Sequence, residues 1–228
     1  MNLSDPIPEV LLTAVEQARE QSPGLDELPD PIREALPKVW ACSEFVTQSC
    51  LHDPAIFSET GYLKSLQDPA GPGERVRQAL SDSTDEAGLM QALRKLRSRE
   101  MLRIAWRDLA GWANLEQTLH DLSELADACI DAALAVLSRW HTERHGIARN
   151  AHGEAQSLVV LGMGKLGAHE LNFSSDIDLI FTYPDNGQSD GERPLDNEEY
   201  FTRLGQRLIR VLDQVTEDGF VFRVDMRL

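Results

Sequence analysis

The chain has 228 residues, of which 42% are hydrophobic and 26% charged, enough to bury a core as one large or two small domains. Its 38 acidic against 22 basic residues give a net charge of −16, which argues against DNA or RNA as substrate, because proteins that neutralise phosphates usually present a basic face. There is no apolar run near the roughly 20 residues that span a bilayer, no signal-peptide pattern in MNLSDPIPEV, and no metal-ligand spacing among Cys42, Cys50 and Cys129, so a cytoplasmic protein with reduced thiols is expected.

The first 150 residues read as a helical region. A short helix is predicted over Glu9–Glu20, and residues 31–50 repeat apolar positions at helical spacing, with Pro37 near an early turn. Residues 68–73 (DPAGPG) form a loop. Ser83 and Glu86 have the spacing of a capping box. The helix they open carries Leu89, Leu93, Leu96, Met101, Ile104, Ala105 and Leu109 on one face, with one slip of register. In the next helix Leu115, Leu119, Leu122, Ala126, Cys129, Ala133, Val136 and Trp140 recur at spacings of four and three. That pattern suits a helix packed in a bundle or, alternatively, a coiled-coil seam.

From residue 151 to 228 the pattern changes. A connector at His152–Ala155 leads to a strand over Ser157–Leu161, a Gly-rich turn and a second strand over Asp176–Tyr183. Residues 184–195 are a polar loop. Asp196 or Asn197 caps a helix with Phe201, Leu204, Leu208, Val211, Leu212 and Val215 on its apolar face, and Phe220–Met226 alternates as a third strand. The expected fold is α+β, a helical bundle followed by a smaller mixed module.

Gly162, Gly164 and Gly167 match a dinucleotide-binding fingerprint, but the long helix that should follow is replaced by a polar turn and another strand. Asp176 and Asp178 carry more information. Residues two apart on a strand point to the same face, so both carboxylates project together while Ile177 turns inward. Like charges side by side are unfavourable unless a cation joins them. Hard divalent ions such as Mg²⁺ take carboxylate oxygens together with substrate phosphates, and ion pairs about 4 Å apart suit nucleotidyl transfer.

Turn glycines, a gap of about ten residues and an aspartate pair on a strand are similar to the polymerase β-like nucleotidyltransferase superfamily. Within it, GMGKLGAHELNFSSDIDLIF (Gly162–Phe181) resembles the glutamine synthetase adenylyltransferase/adenylyl-removing family, on the side of its N-terminal, adenylyl-removing half. Asp85–Trp106, Tyr200–Arg203, Gly205–Ile209 and DGFVFRVDMRL (Asp218–Leu228) extend the likeness. Two departures stand out. Ala168–His169 occupies a place where the family often has glycines. The family's chain also runs on past Met226–Arg227–Leu228, so this sequence is expected to be a fragment holding part of the palm, with little activity by itself.

The resemblance implies roles. Asp176, Asp178 and Asp225 become metal ligands and catalytic carboxylates. Gly162 and Gly164 allow backbone approach to phosphates, Lys165 offsets their charge, and Ser174 and Ser175 bond a phosphate or cap the turn. Arg223 and Arg227 share the face of Asp225 and hold substrate or pair with the carboxylates. Asn172 and Glu170 are structural, and His169 is exposed. The implied reaction is Mg²⁺-dependent phosphorolysis of the adenylyl-tyrosine of glutamine synthetase to ADP, with the PII signal protein, ATP, ADP and phosphate as partners and no nucleic acid or membrane. Adenylyl transfer from ATP, or a non-catalytic module binding glutamine synthetase or PII, are the alternatives.

Overall fold

The computed structural model describes residues 8–20, 25–57, 59–80 and 83–226. The start of the chain and Arg227 therefore lie outside the described residues. The fold is α+β, mostly helical with small sheets. No helix among the described residues is long and apolar enough to cross a membrane. The chain divides into two compact units, residues 1–70 with 99–118 and residues 71–98 with 119–228.

The first unit contains α1 (Glu9–Glu20), α2 (Asp30–Cys42), α3 (Glu44–His52) and α4 (Thr60–Gln67), and the C-terminal part of α6 (Glu86–Leu109). The helical stretch expected over 31–50 is two helices, not one. Ser43 adopts an extended φ of −148° and its Oγ accepts the Val46 amide at 3.2 Å, because a serine that bonds nearby backbone favours a cap over a helix interior. Pro37 lies well inside α2 and has no N–H to offer the preceding turn. The core joins Trp40, Phe57 and Trp106, with ring centroids 6.4 and 6.5 Å apart, to Ile32, Leu36, Val39 and Ile56. Cys50 is buried there, and burial pushes its thiol up to about 12.

The second unit contains α5 (Gly73–Leu80), the start of α6, most of α7 (Leu115–His145), the one-turn α8 (Gly164–Gly167) and α9 (Asn197–Asp213). The cap of α6 is Asp85 rather than Ser83: its carboxylate accepts the Gly88 amide at 2.7 Å. That leaves Glu86 to pair with Arg207 and Arg210, so the expected capping box does not form. On α7, Leu122, Ala126, Cys129, Ala133 and Val136 are buried as their spacing predicts, while Leu115 at the helix start is exposed.

Two small sheets complete this unit. β1 (Ala148–Asn150) pairs antiparallel with β4 (Gly187–Ser189); from sequence, the first of these falls at the end of the helical region and the second in a polar loop. The other sheet has the order β2 (Val159–Met163), β3 (Ile177–Thr182), β5 (Val224–Asp225); β2–β3 is antiparallel and β3–β5 parallel. β5 is much shorter than the strand expected over Phe220–Met226. The amides of Val221 and Phe222 donate to the Leu212 carbonyl at the end of α9, at 2.9 and 3.1 Å, so they are not available to a neighbouring strand. Val215, expected on the apolar face of α9, lies beyond its end and is exposed.

α9 covers one face of the larger sheet. Gly205 lies so close to Phe181 that an added Cβ would meet its ring at 2.7 Å, and Ile177 and Leu179 are buried. Arg94 of α6 secures the connection that follows. Its guanidinium, 1% exposed, donates to the carbonyls of Met90 at 2.9 Å, Gly219 at 2.8 Å and Val211 at 3.3 Å, and to that of Gln214.

Candidate active site

The alternation along β3 places Asp178 and Ile180 on the face opposite buried Ile177 and Leu179. On the adjacent strand Val159, Leu161 and Met163 are exposed, with Met163 paired to Asp178 and Leu161 to Ile180. Asp178 therefore belongs to the face that α9 leaves uncovered, while Asp176 precedes the strand. Across the parallel pairing, Asp225 is the register partner of Asp178. Two hydrogen bonds hold that register: the Ile177 amide donates to the Arg223 carbonyl at 2.9 Å, and the Val224 amide to Asp213 Oδ1 at 3.2 Å.

Asp176, Arg223 and Asp225 line a cleft of about 380 Å³ together with Asp213, Val215 and Phe220. Asp213 is the residue that sequence reasoning passed over. It is the last residue of α9, where an apolar-face pattern carries no signal for a carboxylate that anchors a strand by its amide. Arg223 is at the cleft as expected, with its guanidinium 5.5 Å from the centroid of the Phe220 ring.

The glycine turn has a different partner. Gly164 has φ +54°, in the left-handed region, and an added Cβ would lie 2.8 Å from Asp178 Oδ2. A Cβ at Gly162 would lie 3.0 Å from Leu166, and Gly167 packs on the Gly162 carbonyl. The glycines thus let the chain fold tightly against the Asp178 carboxylate. His169, standing where the family often has glycine, has φ +56°, a conformation that costs a non-glycine residue.

Lys165, Ser174 and Ser175 form a network centred on Asn172. The Asn172 side-chain oxygen accepts from Ser175 Oγ at 2.7 Å, from the Ser174 amide at 3.3 Å and from Ser174 Oγ at 3.4 Å. Lys165 Nζ donates to Ser175 Oγ at 3.4 Å. None of these side chains lines the cleft of Asp176 and Asp225.

Among the described residues no group of three or more His, Cys, Asp or Glu side chains is arranged to hold a metal ion, so Asp176, Asp178 and Asp225 do not come together as the three-ligand set expected from the sequence. The donors at this site are nevertheless hard carboxylate oxygens aligned by register, a chemistry that fits Mg²⁺, which is commonly held by one or two carboxylates plus substrate phosphates.

A model of the glutamate-ammonia ligase adenylyltransferase family matches residues 33–228. The chain belongs to that family. It is 55% identical over 198 residues, 86% of the chain, to the bifunctional glutamine synthetase adenylyltransferase/adenylyl-removing enzyme of Thioalkalivibrio sulfidiphilus. The proteins of the same name from Nitrosococcus oceani and Pseudomonas aeruginosa are 52% and 51% identical, over 83% and 90% of the chain. These alignments cover 20%, 20% and 21% of the relatives, so the chain spans about a fifth of the length of these adenylyltransferase family members.

Proposed function

We propose that this chain supplies the carboxylate-bearing part of a nucleotidyltransferase that removes AMP from the adenylyl-tyrosine of glutamine synthetase by phosphorolysis. The observation that carries the proposal is the pairing of Asp178 with Asp225, with Asp176 lining the cleft beside Asp225. The relatives' shared name supplies the substrate, and a cytoplasmic setting with the PII signal protein as regulator belongs to the same proposal.

In the reaction an oxygen of inorganic phosphate bonds to the adenylyl phosphorus as the bond to the tyrosine oxygen breaks. ADP leaves and the phenolate takes a proton. Mg²⁺ held by the register pair Asp178 and Asp225 together with substrate phosphate would supply charge neutralisation at the transferring adenylyl group, with Asp176 beside Asp225 at the cleft. Asp213 keeps β5 in register through the Val224 amide, and the Gly164 turn backs the Asp178 carboxylate, so both act by positioning. Arg223 would meet a phosphate oxygen at the cleft, and Lys165, Ser174 and Ser175 would present donors from the adjoining turn.

The test is a chimera in which residues 33–228 replace the matching fifth of the full-length Thioalkalivibrio sulfidiphilus relative. Incubated with adenylylated glutamine synthetase, phosphate and Mg²⁺, it should release ADP. Asp178→Asn should abolish that release and leave pyrophosphate release from ATP intact. The opposite pattern, with pyrophosphate release lost and ADP release kept, would assign the segment to adenylyl transfer.

A further inference from the structure

In a chain of net charge −16, one groove is lined by four arginines. It measures about 610 Å³, within the range of about 300–1,000 Å³ usual for small-molecule sites, and shares no residue with the carboxylate cleft. Arg203, Arg207 and Arg210 come from one stripe of α9, spaced by four and three residues, and Arg144 from the last turn of α7. Among the described residues two carboxylates, Asp85 and Glu86, line it with them.

The carboxylates do not saturate these cations. Asp85 accepts the Gly88 amide as the cap of α6. Glu86 meets Arg207 Nε at 3.1 Å and Arg210 Nη1 at 3.5 Å, leaving most of the five N–H groups of each guanidinium without a protein partner among the described residues. Arg203 pairs with Glu199, and Arg144 has no ion pair among the described residues.

An independent sign of a ligand is His141. It is 2% exposed, lines the groove, and its Nε2 has no hydrogen-bond partner among the described residues. Buried polar atoms without partners are uncommon and call for an explanation. The walls are firm at this point: the His141 ring lies 4.4 Å from Tyr200 and 4.7 Å from His145, and Tyr200 Oη donates to the Gly146 carbonyl at 3.1 Å. Burial and then the cations Arg144, Arg203 and Arg207 hold the His145 pKa down, against Glu199, as an unneutralised positive field would. Trp140, half-buried on the same wall, adds an aromatic face.

We propose that this groove is a second ligand site, for a nucleoside polyphosphate whose phosphates meet Arg144 and Arg203 and whose base lies against Trp140. Guanidinium groups match phosphate oxygens two at a time, and an aromatic face stacks on any base. The site is distinct from the carboxylates, so its ligand acts as an effector rather than as the reacting group.

The experiment is a titration of the chain with ATP in Mg²⁺-free buffer, followed by calorimetry and by the imidazole resonances of His141 and His145. Saturable binding is expected, with the His145 titration midpoint moving up by about one pH unit as the phosphates offset its arginine neighbours. Arg144→Ala and Arg203→Ala, both at exposed side chains, should each weaken binding at least tenfold, while Asp178→Asn should leave the His145 response unchanged. Absence of saturable binding, or loss of the His145 response in Asp178→Asn alone, would overturn the proposal. Tripolyphosphate binding as tightly as ATP would overturn the nucleoside assignment, because nothing would then be recognised at Trp140.

Discussion

Asp178 and Asp225 are neighbours across the parallel pairing of β3 and β5, although 47 positions separate them in the chain. Side chains at paired positions of adjacent strands stand on the same face, so two like-charged carboxylates are held side by side. Such an arrangement favours a bound cation.

Mg²⁺ binding follows directly. Calorimetry should show binding by the chain that Asp178→Asn weakens at least tenfold, about 1.4 kcal/mol. Asp225→Asn should have an effect of the same size. Unchanged affinity in both variants would remove the metal from these residues.

Gly164 tests whether the turn positions Asp178. An alanine there would have to accept φ +54° and would place its Cβ 2.8 Å from Asp178 Oδ2. The left-handed conformation should cost roughly 1–2 kcal/mol of stability, read by urea unfolding. Mg²⁺ affinity should fall as well, since the carboxylate must move. Loss of stability with metal affinity intact would show that the turn serves folding only.

Arg94 carries a prediction about the fold. Arg94→Met removes the donors for the carbonyls of Met90, Val211, Gln214 and Gly219. Charge-assisted bonds of this kind in a buried place should be worth about 3 kcal/mol together. Lys, a single point charge, should recover only part of that, because it lacks the planar fork. A urea midpoint unchanged by Arg94→Met would contradict the role given to this residue.

The pH dependence of stability should report His141. Burial, then the neighbouring His145 and Arg207, lower its pKa to about 4. Because the unfolded state takes up the proton first, near pH 6.5, stability is complete above that value and is lost as the pH falls towards 4. Between pH 7.5 and 5 the loss from this group should be about 2 kcal/mol. His145, whose pKa is also lowered, acts in the same sense. Unfolding curves at the two pH values should show a smaller difference in His141→Gln than in the parent chain.

Much of this protein is legible along the chain. The helices α1, α6, α7 and α9 follow from apolar residues recurring at helical spacing, because each helix buries one stripe. The alternation around Ile177 foretells the strand β3 with Ile177 and Leu179 buried and Asp178 on the other side, since the strand repeat is two residues; Asp176 itself falls just before the strand. The motif around Gly162–Phe181 was also sufficient to recognise the family that the matched residues 33–228 show. Such features depend on local geometry or on residues close together in the chain, which a sequence displays.

What the tertiary structure alone decided depends on distant residues. Ser43 and Asp85 were each one of several polar residues able to begin a helix, and only the structure shows which side chains accept the amides of Val46 and Gly88. β5 is short because Leu212 takes the amides of Val221 and Phe222, a competition between a helix end and a strand that no periodicity reveals. Asp213 reached the carboxylate cleft, and Arg94 the end of α9, through hydrogen bonds over 11 and up to 125 positions. The arginine groove has the same origin: Arg144, some sixty positions from Arg203, Arg207 and Arg210, joins their positive field only when α7 and α9 line one groove, because charges interact strongly only over short separations.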